Sequence, residues 1–404
     1  MQDTIIVVGT GHAAAQVVDS LRREGFVGRL VMVGEEPTLP YQRPPLSKKF
    51  LAGEMEEDRL PIRHAAFYES IHCEMLLGNA VTSIDVPVRE LTLADGSRFA
   101  YGKLVLAVGG HARPIPVPGA NLAGVHVLRT LADVHAVRAE AVPGTRVVIV
   151  GAGYIGLESA ATFRKLGLEV TVIEMMDRVM SRVVAPEMSR FYAGEHLAHG
   201  VSILIGKRVS ALQGVARVTA VECSDGTRVP ADLVLVGIGL VPNTELASAA
   251  GIRCEDGIAV DEHCRTNDPN IYAIGDCCSF QSPLYGRRIR LESVDNAFEQ
   301  ARTAAANICG RVLAHDKTPW FWSDQYELKL QIVGLCQGYD QVILRGDPAS
   351  RAFSCCYLRN GELIALDAVN HARDFMAARK LLAEHAKPDP ARLADPALAI
   401  KDTL

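Results

Sequence analysis

The chain has 404 residues and a formal net charge of −5, so it is long enough for two or three domains with cores of their own and lacks the basic excess that draws proteins to nucleic acid or anionic membranes. Hydrophobic residues make up 49% and charged residues 22%. No apolar run reaches the roughly 20 residues of a membrane span, and the opening "MQDT" leads straight into a strand pattern, so the composition predicts a soluble, cytoplasmic protein.

The first predicted element is a strand, "IIVVGTGHAA", that runs into Gly9-x-Gly11-x-x-Ala14 and a helix-compatible stretch. The first glycine makes a tight turn, the second lets the backbone approach a pyrophosphate, and the small third residue lets helix and strand pack closely. "RLVMVGEE" closes this βαβ unit, over about residues 4–36, on Glu35, where a carboxylate can accept from ribose hydroxyls. A proline-rich stretch follows, "EEPTLPYQRPPLSKKFLAGE", then short strands around "LTLADGSRFA" and a buried strand, "KLVLAVGG". "HARPIPVPGA" reads as a linker.

The pattern then repeats. "VVIVGAGYIGLESA" runs a strand into Gly151-x-Gly153-x-x-Gly156, and "EVTVIEMM" ends on Glu174. "VTAVECSDGTRVPADLVLVGIGLVPN" again gives strand, Asp-Gly turn, strand and a buried strand ending in glycine. "NIYAIGDCC" is a further buried strand, and "SVDNAFEQARTAAANICG" a helix of small residues fit for close packing. From Trp320 the character changes: three strand segments, a hairpin turn at Asn360-Gly361 and a closing helix, "ARDFMAARKLLAEHA", form an α+β tail without phosphate-binding glycines.

Two dinucleotide turns on one chain make sense if two dinucleotides must exchange electrons. Ten cysteines are present, none in C-x-x-C spacing and none before Cys73. Buried hydrophobic roles suit them best. Nothing resembles a cysteine–histidine metal site.

On "GTGHAA", "PYQRPPLSK", "VLRT", "GAGYIGLE", "GIGLVPN", "AIGDC", "ESVDNAFEQAR" and "PWFWSDQY", the chain closely resembles the NADH-dependent, FAD-containing ferredoxin reductases of bacterial P450 and dioxygenase systems. The resemblance spans essentially the whole chain. It implies an α/β fold of glutathione-reductase-like architecture: two Rossmann-like domains, one for FAD (1–110 and 238–317) and one for NAD (111–237), and a C-terminal α+β domain (318–404).

It implies that Gly9, Gly11, Ala13 and Ala14 line the FAD pyrophosphate and that Glu35 takes the adenosine ribose. Arg43 and Lys48 approach the flavin, Val81 faces the adenine side, and Arg129 adds charge. Asp276 accepts from a ribityl hydroxyl, and Val294 meets the ring. Gly151, Gly153 and Gly156, with Gly239 of "GIGLVPN", seat NADH. Tyr154 gates the nicotinamide pocket, and Glu158 pairs with Lys48, these last two being the residues nearest the chemistry. Val108 stands where the family usually has threonine. Glu174 favours NADH, because a carboxylate binds a 2′-hydroxyl and repels a 2′-phosphate. Arg178 is the only nearby cation in sequence, and it comes late. Lacking a cysteine pair, electrons leave FAD directly for a one-electron acceptor, a [2Fe-2S] ferredoxin, and reach a P450 or other oxygenase indirectly. A rubredoxin or dioxygenase partner is the alternative, and a flavin-bearing signalling protein of the same architecture a third reading. Arg287, Arg288, Arg290 and Arg302 offer a basic patch for an acidic ferredoxin. The two tryptophans of "PWFWSDQ" suit either a core or an edge of the flavin site.

Overall fold

The computed structural model describes residues 3–404. Two compact units emerge. The first takes the chain up to Gln42, Glu57–His111 and Val241–Lys317; the second takes Arg43–Glu56, Ala112–Leu240 and Thr318–Leu404.

In the first unit the β-branched strand Thr4–Val8 runs parallel between Arg29–Gly34 and Lys103–Leu106, with Val7 opposite Met32 on one side and Val105 on the other. Cys73–Leu77 and Ile271–Ala273 complete a five-stranded parallel sheet. Such strands are apolar along their whole length because both faces are covered. One cover is the helix pair His12–Arg23 and Val294–Ile308. Ala13, Ala14, Ala297, Ala301, Ala304 and Ala305 share its core with Val17 and Leu21, so the small side chains bring the two helix axes close.

The second unit repeats this plan. Arg146–Val150 lies between Glu169–Ile173 and Leu233–Val236, with Ser202–Leu204 and Val125–His126 outside. Strand order is the same, counted from the strand that feeds the glycine turn. Only the outer strand beside the closing strand differs in origin: it follows in the chain in the first unit and precedes in the second. Each unit has a three-stranded antiparallel meander, turning at Gly96 and Gly226, both at φ +84°.

The C-terminal segment forms an antiparallel sheet in the order Trp320–Gln325, Leu328–Gly334, Glu362–Val369, Phe353–Arg359, Gln341–Arg345. Its hairpin turns at Asn360 and Gly361, φ 51° and 78°, the positive-φ pair that matches strand twist. Helix Ala372–Ala383 packs Phe375, Ala378, Leu381 and Leu382 on Val333, Leu358 and Leu366.

The division differs from the three-domain reading in two respects. Residues 318–404 and the second nucleotide-binding half form one compact unit, and Arg43–Glu56 joins that unit and not the first. The reason is polar and aromatic contact described below. Helices Leu131–Glu140 and Pro186–Ala198 were also not expected. Thr130 and Asp133 cap the first with a capping box, and Pro186 opens the second at its first turn, signals that stand apart from any strong apolar periodicity. Among the described residues no helix is long and apolar enough to cross a membrane.

Candidate functional site

Both glycine turns are built by the same close approach. Gly9 sits at φ +119°, and a Cβ there would lie 2.2 Å from the carbonyl oxygen of Ala107. Gly151 sits at φ +105°, and its Cβ would lie 2.4 Å from that of Gly237. A side chain is excluded at both, so each turn presses on the end of the neighbouring strand. At Gly156 a Cβ would meet the Gly151 oxygen at 2.1 Å; Ala14, fully buried, holds that place in the first copy.

Gly11 and Gly153 are the reverse case: a Cβ would meet nothing within 4 Å. They are the N-caps of helices His12–Arg23 and Tyr154–Lys165, and neither helix has a side-chain cap. The helices that start after Thr130, Ser293 and Asp389 have one, whereas those after His64, Ala185, Thr244 and His371 also lack it, so the open glycine turn in front, and not the missing cap, sets these two starts apart. Two 12-residue helices thus present first-turn N–H groups and the positive end of the dipole to open space, which fits a dinucleotide pyrophosphate at each turn.

The acidic residues are not equivalent. Glu174 folds back on its own turn: Oε2 accepts from Ala152 N at 2.7 Å and Oε1 from Met176 N at 2.8 Å. Val8 pairs with Val33 as Val150 pairs with Ile173, so the register partner of Glu174 is Gly34. There a Cβ would strike Thr10 Cγ2 at 2.2 Å. Glu35 comes one residue later and is exposed, while its neighbour Glu36 accepts from the Tyr41 hydroxyl at 2.5 Å.

The first unit gathers most of the other residues expected there. Gly275, at φ +80°, leaves a Cβ only 3.1 Å from Ala13 Cβ and 3.9 Å from Ala297 Cβ. Its N–H donates to Gln300 Oε1 at 2.8 Å. The Gly275–Cys277 turn that carries Asp276 is therefore seated against the starts of both helices. Val294 is the first residue of the second helix, behind the Ser293 cap. Val81 opens the meander, half-buried.

The second unit holds Arg43, Lys48, Arg129, Tyr154, Glu158 and Gly239. Arg43 Nη1 donates to the Arg129 carbonyl at 2.6 Å. The short 3-10 turn Pro44–Ser47 delivers Lys48 to Glu158, Nζ to Oε2 at 2.6 Å, with Glu158 only 2% exposed. Two serines that sequence reasoning passed over complete this carboxylate: Ser47 Oγ donates to Oε2 at 2.6 Å and Ser323 Oγ to Oε1 at 2.7 Å. Thr162 Oγ1 donates to the Ser47 carbonyl at 2.8 Å. Tyr154 packs on Phe321, ring centroids 4.9 Å apart, and burial, with Asp367 nearby, holds its hydroxyl well above the usual phenol range. Gly239, at φ +115°, accepts from Arg113 N at 2.9 Å. Trp320 and Trp322 are half-buried on their strand, 5.5 Å apart.

Cations near Glu174 need a correction. Besides Arg178, strand Ser202–Leu204 brings Lys207, whose N–H donates to the Glu174 carbonyl at 3.0 Å. Both are engaged: Arg178 by Val184 O, Ser181 O and Ser189 Oγ, Lys207 by Asp225 and Thr227. The basic patch is weaker than its sequence suggests. Arg290 is bound to Asp256 and Glu292 at 3.2 and 2.7 Å, Arg288 lies 3.7 Å from Glu255, and Arg302 pairs with Glu299. Acids distant in sequence, two residues on or one helical turn away offset the charge of Arg288, Arg290 and Arg302.

Cys277 and Cys278 are fully buried. Burial pushes the Cys277 thiol up to about 11 and that of Cys278 well above the ordinary range, which suits inert packing and not nucleophilic exchange. Among the described residues no group of three His, Cys, Asp or Glu is placed to hold a metal ion.

Residues 3–304 match the family described as pyridine nucleotide-disulphide oxidoreductase, and residues 320–404 match the reductase C-terminal domain. The 5,5'-dehydrodivanillate O-demethylase ferredoxin reductase subunit of a Sphingobium strain is 45% identical, covering 98% of this chain and 97% of its own. Putidaredoxin reductase of Pseudomonas putida is 42% identical, covering 100% of this chain and 97% of its own. The crystal structure of the ferredoxin reductase for the CYP199A2 system from Rhodopseudomonas palustris is 44% identical, with a TM-score of 0.96 over 99% of each chain. With its duplicated FAD and NAD(H) turns and this full-length likeness, the chain belongs to the pyridine nucleotide-disulphide oxidoreductases, and among them to the ferredoxin reductases of the putidaredoxin reductase type.

Proposed function

We propose that this reductase draws two electrons from NADH and delivers them singly to a [2Fe-2S] ferredoxin that serves a cytochrome P450 monooxygenase. The observation that carries the reading is the pair of glycine turns, each pressed on a neighbouring strand at Gly9 or Gly151 and open at Gly11 or Gly153 before a helix start. Bound FAD supplies the chemistry, since a flavin accepts a hydride and gives up electrons one at a time.

In the first unit Gly9, Gly11, Ala13 and Ala14 hold the pyrophosphate of FAD, Glu35 its ribose and Val81 its adenine side. Asp276 accepts from the ribityl chain and Val294 touches the ring. Arg43, Lys48 and Arg129 supply positive charge to the flavin, and Lys48 opposes the negative charge that arrives with a hydride. Gly151, Gly153, Gly156 and Gly239 seat NADH, Tyr154 borders the nicotinamide, and Glu174 takes the adenosine ribose. The inert Cys277 and Cys278 support direct transfer without a thiol relay.

A second reading, service to a dioxygenase, is favoured by the relatives named as reductase components of the anthranilate 1,2-dioxygenase and chlorobenzene dioxygenase systems, 41% and 38% identical. The test is stopped-flow reduction by NADH followed by cytochrome c reduction with added [2Fe-2S] ferredoxin or rubredoxin, then coupling to a P450 or a dioxygenase. A flavin that NADH reduces but no ferredoxin reoxidises overturns the proposal. Coupling to the dioxygenase alone selects the second reading.

A further inference from the structure

Glu158 is the end of a longer line of polar groups. Ser323 Oγ, which donates to Glu158 Oε1, itself accepts from Gln325 Nε2 at 3.2 Å. Gln325 Oε1 faces His196 Nε2 at 2.9 Å, and His196 Nδ1 faces the Tyr326 hydroxyl at 3.0 Å. Ser323 and His196 are completely buried and Gln325 is 1% exposed. Tyr326 continues toward the surface and stacks on His199, ring centroids 3.7 Å apart at 15°.

The direction of every bond follows from one fixed end. A buried carboxylate beside an ammonium needs donors, so the Ser323 hydroxyl must donate to Glu158. Ser323 is then left as an acceptor and takes the amide N–H of Gln325. The Gln325 carbonyl therefore faces His196, whose Nε2 must carry the proton, and Nδ1 must accept from Tyr326. The reversed order would take the hydroxyl hydrogen from Glu158 and leave Oε1 without a donor, a costly state in a buried site. Burial pushes the His196 ring down to about 4, so it stays neutral and serves as both donor and acceptor. Tyr326 is held at φ 55°, a left-handed conformation uncommon for an aromatic residue, with its hydroxyl on His196.

We propose that Ser323, Gln325, His196 and Tyr326 are positioning residues: a one-way donor chain that orients the Glu158 carboxylate and, through it, the Lys48 ammonium. The proposal rests on the reading above that Lys48 acts on the flavin. The chain joins three separate pieces of sequence, the Pro44–Ser47 turn, helix Pro186–Ala198 and strand Trp320–Gln325, to helix Tyr154–Lys165. It gives the C-terminal segment a part in the chemistry that its lack of glycine motifs conceals.

The polarity is tested in the wild-type holoenzyme at pH 7 by 15N chemical shifts of the His196 ring. Nε2 must be protonated and Nδ1 bare; the opposite tautomer overturns the chain. Function is tested by the midpoint potential of the bound flavin, measured by spectroelectrochemistry without NADH or ferredoxin, in Ser323→Ala, Gln325→Leu, His196→Phe and Lys48→Met. Each is expected to lower the potential in the direction that Lys48→Met does, with Ser323→Ala the largest of the chain variants. Ser323→Ala should also slow flavin reduction by about tenfold, as for a lost bond to a charged group, without raising the KM for NADH. Because the residues act in series, Ser323→Ala/Gln325→Leu should be no worse than Ser323→Ala. Additive losses in that double variant, or an unchanged potential in Gln325→Leu while Lys48→Met moves it, overturn the proposal. Gln325→Met takes the place of Gln325→Leu where that variant does not fold. An unchanged potential in Lys48→Met refutes the reading on which the proposal rests, while the tautomer result still decides the chain.

Discussion

Asp367 provides a measurable link between the C-terminal sheet and the nucleotide-binding half. It sits on strand Glu362–Val369, 1% exposed, and Oδ2 accepts from the Tyr357 hydroxyl. That hydroxyl in turn accepts from Ala185 N at 3.0 Å, the residue that precedes helix Pro186–Ala198. Burial raises the carboxyl from 3.8 to about 7, and the Tyr357 bond offsets only part of that. A raised carboxyl favours the folded state while it keeps its proton. Its contribution is full below about pH 4, where both states are protonated. It declines as the unfolded state ionises alone, and it is exhausted once pH passes about 7. The whole loss is about 4 kcal/mol, at about 1.4 kcal/mol per pH unit, of which about 2.5 kcal/mol falls between pH 5 and pH 8. Asp367→Asn keeps the shape and an acceptor for Tyr357 but cannot ionise. Urea unfolding of the FAD-loaded protein should therefore show the variant gaining about 2–3 kcal/mol on wild type between pH 5 and pH 8. Taking the difference at each pH cancels every other titrating group. A difference that stays constant within about 0.5 kcal/mol refutes the reasoning.

Glu174→Ala should narrow the preference for NADH over NADPH in kcat/KM, and Glu174→Ala with Asp225→Ala should narrow it further by freeing Lys207; a wild type that prefers NADPH contradicts both. Cys277→Ser/Cys278→Ser should reduce its flavin with NADH at a rate within about tenfold of wild type, or about 1.4 kcal/mol of barrier, and a larger loss with FAD still bound points to thiol chemistry. Charge reversal at Arg287 and Arg288 should slow ferredoxin reduction at low salt, less so at high salt, and leave NADH reduction unchanged. Arg302→Glu should do less, because Glu299 already neutralises that guanidinium; equal ferredoxin rates in all these variants place the docking site elsewhere.

The parallel sheets and glycine turns were legible because their causes are local. A β-branched run, a positive-φ glycine and a small residue at the helix start are each fixed within a few positions of one another, and both copies carry them. The place of Glu174 at the end of its strand was legible for the same reason, while Glu35 falls one position beyond the corresponding place, Gly34, so two acids that look equivalent in sequence stand differently. Charge environment was the least legible property. Asp256 lies 34 positions from Arg290, and Lys207 reaches Glu174 only through strand pairing, so counting charges along the chain overstates one patch and misses one cation.

Glu158 shows where local reading stops. Its helix position and small neighbours argued for burial, and burial of a carboxylate demands donors. What the sequence does not reveal is which of its many serines supply them. Ser47 follows two prolines that fix its turn, and Ser323 sits between Trp322 and Asp324 on a strand with alternating faces, where only the inward side can meet a helix. Each has an ordinary local explanation, and only the carboxylate between them gives the pair a common purpose. A buried charge therefore forces distant segments to converge on it. The attachment of the C-terminal sheet to the nucleotide-binding half follows from that demand as much as from the apolar packing of Tyr154 on Phe321.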